Sequence, residues 1–138
     1  MVRACAVTFP IMALKSNILL IDDTQNNLRF LSKILIKQGY QVRSVVSAEI
    51  ALKVAKATNP DVIVLESLMP EMDGSQIYEC LKADLQTRNI PVIFLSSPDQ
   101  VPDKVKAFEL GAADYITKPF QVEEVIASIE NKVTISKL

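Results

Sequence analysis

Three unbroken apolar runs punctuate the chain: Ile18–Ile21, Val62–Leu65 and Val92–Leu95. Four consecutive apolar residues, rich in β-branched types and without polar alternation, predict strands covered on both faces. Gln41–Val46 is less apolar and predicts an edge strand, and Asp114–Thr117 predicts a short fifth strand. Between these runs the apolar spacing turns helical. Leu28, Leu31 and Leu35 mark a helix over Thr24–Gln38 that stops at Gly39. Ser47 reads as an N-cap with Glu49 in the first turn, for a helix ending at Thr58 before Asn59-Pro60. Ile77 and Leu81 are the buried positions of a helix near Ser75–Leu85. A fourth helix carries Val105 and Phe108 and closes at Gly111, and a fifth carries Val122, Val125, Ile126, Ile129 and Val133.

Strands alternating with helices through short connections predict an α/β fold: a five-stranded parallel sheet with helices on both faces. A doubly wound, flavodoxin-like order 2-1-3-4-5 sets the first and third strands side by side at a switch point. One domain is expected over residues 17–133, with an extension over 1–16 and a tail over 134–138. In the extension, Pro10 interrupts the apolar stretch and Lys15 closes it, with no clean small-x-small cleavage site before the fold. It reads as a loosely ordered tail, or as an upstream start with Met12 the natural one, rather than as an export or docking segment. It is short of the roughly 20 apolar residues that span a membrane.

Composition narrows the chemistry. Fifteen basic and 16 acidic side chains leave a net charge of −1, so no overall field draws in nucleic acid or an anionic membrane. The absence of histidine excludes Ser-His-Asp or Cys-His catalysis, a His-ligated metal and a histidine phosphodonor. Any metal must then be a hard, oxygen-ligated ion. Cys5 and Cys80 lie far apart, fit no metal spacing and read as free thiols of a reducing compartment, which fits a cytoplasmic location.

The residues that end the central strands carry the functional signal. Asp22 and Asp23 follow the first strand, Glu66 ends the third, Ser96 follows the fourth and Lys118 the fifth. Singly, each has a plain structural reading: an acidic pair opening a helix, a turn hydroxyl, a solvated lysine. Met69 and Met72 read as loop packing. Together they converge on the carboxyl edge of the sheet, where such folds bind ligands. Clustered carboxylates repel one another and call for a cation, for which Mg²⁺ is suited. A metal, an amine and a hydroxyl around one carboxylate can hold a phosphoryl group.

Four segments carry a family resemblance: I-L-L-I-D-D-T, D-V-I-V-L-E-S-L-M-P-E-M-D-G, P-V-I-F-L-S-S and G-A-A-D-Y-I-T-K-P-F. Over about residues 17–133 the chain resembles the receiver domain of bacterial two-component response regulators. In that family an aspartate after the third strand takes a phosphoryl group from a kinase histidine. The resemblance implies that Asp23 binds Mg²⁺ directly, Asp22 through water, and the backbone carbonyl of Leu68 as a further ligand. It implies that Ser96 contacts the phosphoryl group, Lys118 pairs with it, Tyr115 changes rotamer with Ser96, and the bond before Pro119 is cis. The implied partners are a histidine kinase or phosphotransfer protein and a downstream protein. The latter is met at the fourth helix, fifth strand and fifth helix, about 102–133, and a homodimer is a further expectation.

The acceptor position, however, holds Glu66. Its carboxyl stands one bond, about 1.5 Å, farther from the backbone than that of aspartate. In-line transfer depends on placement, so phosphorylation is expected to be weak or absent. Glu66 then marks a natural receiver that works without phosphate, a partial mimic of the phosphorylated state, or an introduced replacement of aspartate. The alternative is a Mg²⁺-dependent, phosphatase-like enzyme on the same architecture. Hydrolases with an aspartate nucleophile usually show Asp-x-Asp after the first strand, and Asp22-Asp23-Thr24 does not match. A nucleotide or flavin binder would need a Gly-rich loop there, and none is present.

Overall fold

The computed structural model describes residues 15–22, 25–66, 74–96, 113–117 and 121–136. Five strands form one parallel sheet: β1 (Lys15–Ile21), β2 (Tyr40–Val45), β3 (Val62–Glu66), β4 (Val92–Ser96) and β5 (Asp114–Thr117). Their order is β2-β1-β3-β4-β5, as the pattern predicts, with the weakly apolar β2 at an edge. The described helices are α1 (Gln25–Lys37), α2 (Ala48–Thr58), α3 (Gly74–Ala83) and α4 (Val122–Ser136), the last being the fifth helix of the sequence reading. The fourth helix expected before Gly111 lies outside the described residues.

Alternation along the central strands splits the core into two layers. Leu19, Ile21, Ile63, Leu65, Val92 and Phe94 pack against Ala48, Ala51 and Ala55 of α2 and Ile77, Tyr78 and Leu81 of α3. Ile18, Leu20, Val62, Val64, Ile93 and Leu95 pack on the other side against Leu28, Leu31 and Leu35 of α1 and Val125 and Ile129 of α4. Burial on both faces is why these strands need no polar alternation; β3 is buried along its whole length, Glu66 included.

The element ends have local causes. Ser47 is extended and accepts a hydrogen bond from the Ile50 N–H at 3.4 Å, the N-cap its position predicts. Gly39 after α1 has φ 98°, a left-handed turn that glycine adopts without steric cost. α3 stops at Ala83 rather than Leu85. The Asp84 carboxylate accepts from Gln86 N–H at 2.8 Å, and the buried Thr87 hydroxyl donates to the Leu81 carbonyl at 2.5 Å. β1 starts at Lys15, ahead of the apolar run, because Lys15 is paired with Tyr40 and Asn17 N–H is held by the Asp61 carboxylate at 2.8 Å. α4 runs to Ser136, past residue 133, since no glycine or proline interrupts it.

Candidate functional site

All five strands are parallel, so their carboxyl ends share one edge of the sheet. Ile21 and Leu65 are the last registered pair between β1 and β3. One step further, Asp22 and Glu66 lie on adjacent backbones about 4.8 Å apart. Both are buried, at 4% and 5% exposure. Asp22 N–H donates to the Val45 carbonyl at 3.2 Å, which ties it to the end of β2 as well. Glu66 is registered with Leu95, and Ser96 with Thr117, so the β4 and β5 ends follow directly along the same edge.

Of the residues the sequence singles out, Asp22 and Glu66 are thus brought side by side. Ser96 ends β4 as expected, its side chain lying outside the described part. Asp23, Leu68, Lys118 and Pro119 lie outside the described residues. Among the described residues, no group of three or more His, Cys, Asp or Glu gathers to hold a metal, and the third expected acid, Asp23, is not among them. Two buried acids at the ends of adjacent strands offer the oxygen donors a hard divalent ion takes. That donor set fits Mg²⁺.

Tyr115 on β5 is buried at 7% exposure. Its ring stacks on Phe94 with centroids 5.9 Å apart, and Phe94 meets Tyr78 of α3 at 5.7 Å. The Lys82 ammonium lies 5.1 Å from the Tyr78 ring centre and donates to the Arg88 and Ile90 carbonyls at 2.9 and 3.1 Å. Burial holds the Lys82 ammonium below its ordinary pKa and raises that of the Tyr78 phenol, because both charged forms would lose water. This aromatic row, running from α3 to β5, is absent from the sequence reading. Phe94 sits in an apolar run like any core residue, and only the fold reveals its neighbours. Asp114, at the start of β5, accepts from Tyr115 N–H at 2.8 Å and from the Ser128 hydroxyl of α4 at 2.6 Å, fixing the strand to that helix.

No described helix is long and apolar enough to cross a membrane. The sequence profile of the response regulator receiver domain matches residues 18–130. The chain is 37% identical over 117 residues to the alkaline phosphatase synthesis transcriptional regulatory protein PhoP of Bacillus subtilis, covering 85% of this chain and 48% of that protein. It is 38% identical over 112 residues to the DNA-binding dual master transcriptional regulator RpaA of Synechocystis, covering 81% of this chain and 46% of that protein. The chain therefore spans less than half the length of these curated relatives. The solved receiver domain of the Francisella response regulator 1452 superposes with a TM-score of 0.81 at 29% identity, covering 88% of this chain and 99% of that one. The 2-1-3-4-5 winding and the match across most of the chain agree, and the chain belongs to the response regulator receiver domain family of two-component signal transduction.

Proposed function

We propose that this receiver acts as a switch through protein contacts and takes up a phosphoryl group poorly or not at all. The observation that carries this reading is Glu66, buried at the carboxyl end of the central strand beside Asp22. In this reading Asp22, Asp23, Glu66 and the Leu68 carbonyl hold Mg²⁺, which when bound supplies positive charge to the acid cluster. Ser96 and Lys118 face the Glu66 carboxylate, and Tyr115 follows Ser96. Glu66 reaches toward them with one negative charge, where a phosphoryl group would bring nearly two, so any activation is partial.

The chain signals without turning over a substrate, in the cytoplasm. Its upstream partner is a histidine kinase or phosphotransfer protein, its downstream partner meets residues 102–133, and a second copy of the chain is a further partner. Incubation with acetyl phosphate and Mg²⁺, followed by intact-mass spectrometry, tests the reading. An unshifted mass is expected. Rapid, stoichiometric gain of one phosphoryl group overturns it.

A further inference from the structure

A second surface lies at the β2 edge of the sheet, the edge opposite β5. A groove of about 510 Å³ opens where the sheet ends at β2, between Leu28, Arg29 and Ser32 of α1, Val45 and Val46 at the end of β2, and Ile50 of α2. It exists because β2 is an edge strand. α1 covers one face of the sheet and α2 the other, and no described element closes the gap between them. Five large apolar side chains are exposed among the described residues, and three belong here. Val46 and Ile50 line the groove at 40% and 51% exposure, and Ile36, at 55%, lies one turn beyond Ser32 on the same flank of α1.

Charge sets this edge apart from the rest of the chain. Together α1, β2 and α2 carry six cations (Arg29, Lys33, Lys37, Arg43, Lys53 and Lys56) and a single carboxylate, Glu49. Glu49 is itself 3.5 Å from the Lys53 ammonium, and Lys56 is engaged by Asp84 at 3.0 Å. That leaves Arg29 in the groove wall, with Lys33 and Lys37 further along α1 and Arg43 on β2, on a chain whose net charge is −1.

We propose that this edge docks an acidic amphipathic helix of another protein. Such a helix lays apolar residues, spaced at i, i+3 or i+4 and i+7, over Val46, Ile50 and Ile36 and presents Asp or Glu to Arg29 and, one turn further along α1, to Lys33. The apolar floor favours a protein segment over a nucleic acid, since none of the residues lining the groove is an aromatic platform for bases. Residues 1–14 are apolar enough to compete, but their one charged side chain is Arg3, which the cationic edge repels. The groove also adjoins the acid pair: the Val45 carbonyl at its wall receives the Asp22 N–H. An occupant therefore presses on the strand end that holds Asp22.

The test is an NMR titration of the ¹⁵N-labelled chain, residues 1–138, with a synthetic helical peptide of about 18 residues, five turns, with leucine on one face and glutamate on the other. Controls are the same peptide with lysine for glutamate, and an oligothymidylate. The glutamate peptide is expected to shift the amides of Arg29, Ser32, Val45, Val46 and Ile50. Arg29→Glu or Ile50→Ser, both surface changes, should each weaken it about tenfold, with unaltered circular dichroism. Equal shifts from the lysine peptide or from the oligothymidylate would overturn the proposal, as would no shift from any probe. A spin label on Cys5 in a Cys80→Ser background addresses self-occupancy. Broadening of the groove amides in the free monomer would show that residues 1–14 already fill it, and would also overturn the proposal.

Discussion

Shortening Glu66 to aspartate should turn on phosphoryl uptake. The side chain is 5% exposed and sits at the end of a strand whose every residue is buried, so its backbone position is fixed by the register with Leu95. Glu66→Asp withdraws the carboxyl by one bond, about 1.5 Å. A misplacement of about 1 Å costs on the order of a hundredfold in a reaction governed by alignment. The variant should therefore gain at least about a hundredfold in phosphorylation rate from acetyl phosphate with Mg²⁺. Removing one buried methylene carries a cost of roughly 1 kcal/mol from lost burial and the space left behind. In a chain of this length that lowers Tm by about 3–5 °C. Time-resolved intact-mass spectrometry reads the rate and calorimetry the Tm. Two outcomes refute the reasoning. A folded Glu66→Asp that stays unmodified would mean the edge is no acceptor site. Wild type reacting as fast as the variant would mean the extra methylene does not matter.

Other expectations follow from the packing. Tyr40 is buried, and its phenol pKa is pushed from 10.0 up to about 12 by burial, then by the charge of Glu130 and the hydrogen bond between them. A phenol whose folded pKa is raised adds stability that is complete below about pH 10 and is lost as the pH climbs through 12, about 2 kcal/mol in all. Tyr40→Phe should flatten that alkaline limb in urea melts, leaving the contribution of Tyr78, whose phenol is raised in the same sense by burial. Thr87→Val should cost about 1–2 kcal/mol in denaturant unfolding, since it strips the Leu81 carbonyl of a buried donor 2.5 Å away. Phe94→Ala should cost about 3–5 kcal/mol and expose the Tyr115 ring to nitration by tetranitromethane, because Phe94 is the ring that Tyr115 stacks on.

Much of the fold is legible in the chain because burial on both faces writes itself as unbroken apolar runs. Ile18–Ile21, Val62–Leu65 and Val92–Leu95 each became a central strand, and the mixed Gln41–Val46 became the edge. Ser47 and Gly39 announced helix ends through chemistry confined to a few residues. What the chain does not announce is anything held across long separations. Lys15 and Asn17 look like loop residues and join β1 only through Tyr40 and Asp61. Helical spacing carries α3 on to Leu85, and it is the turn chemistry of Asp84 and Thr87 that ends it at Ala83. Of the site, the nearness of Asp22 to Glu66 was readable because both are the first polar residues after buried strands. The contact of Tyr40 with Glu130 had no local signature at all.

The row of rings from Tyr78 through Phe94 to Tyr115 has a practical consequence. The chain contains no tryptophan and only three tyrosines, so its ultraviolet emission is tyrosine light alone. All three, Tyr40, Tyr78 and Tyr115, are interior, and two of them touch the same phenylalanine. The molecule thus carries its own unlabelled optical gauge. A change at the end of β5 alters the brightness of a residue it already possesses, with no dye and no foreign side chain.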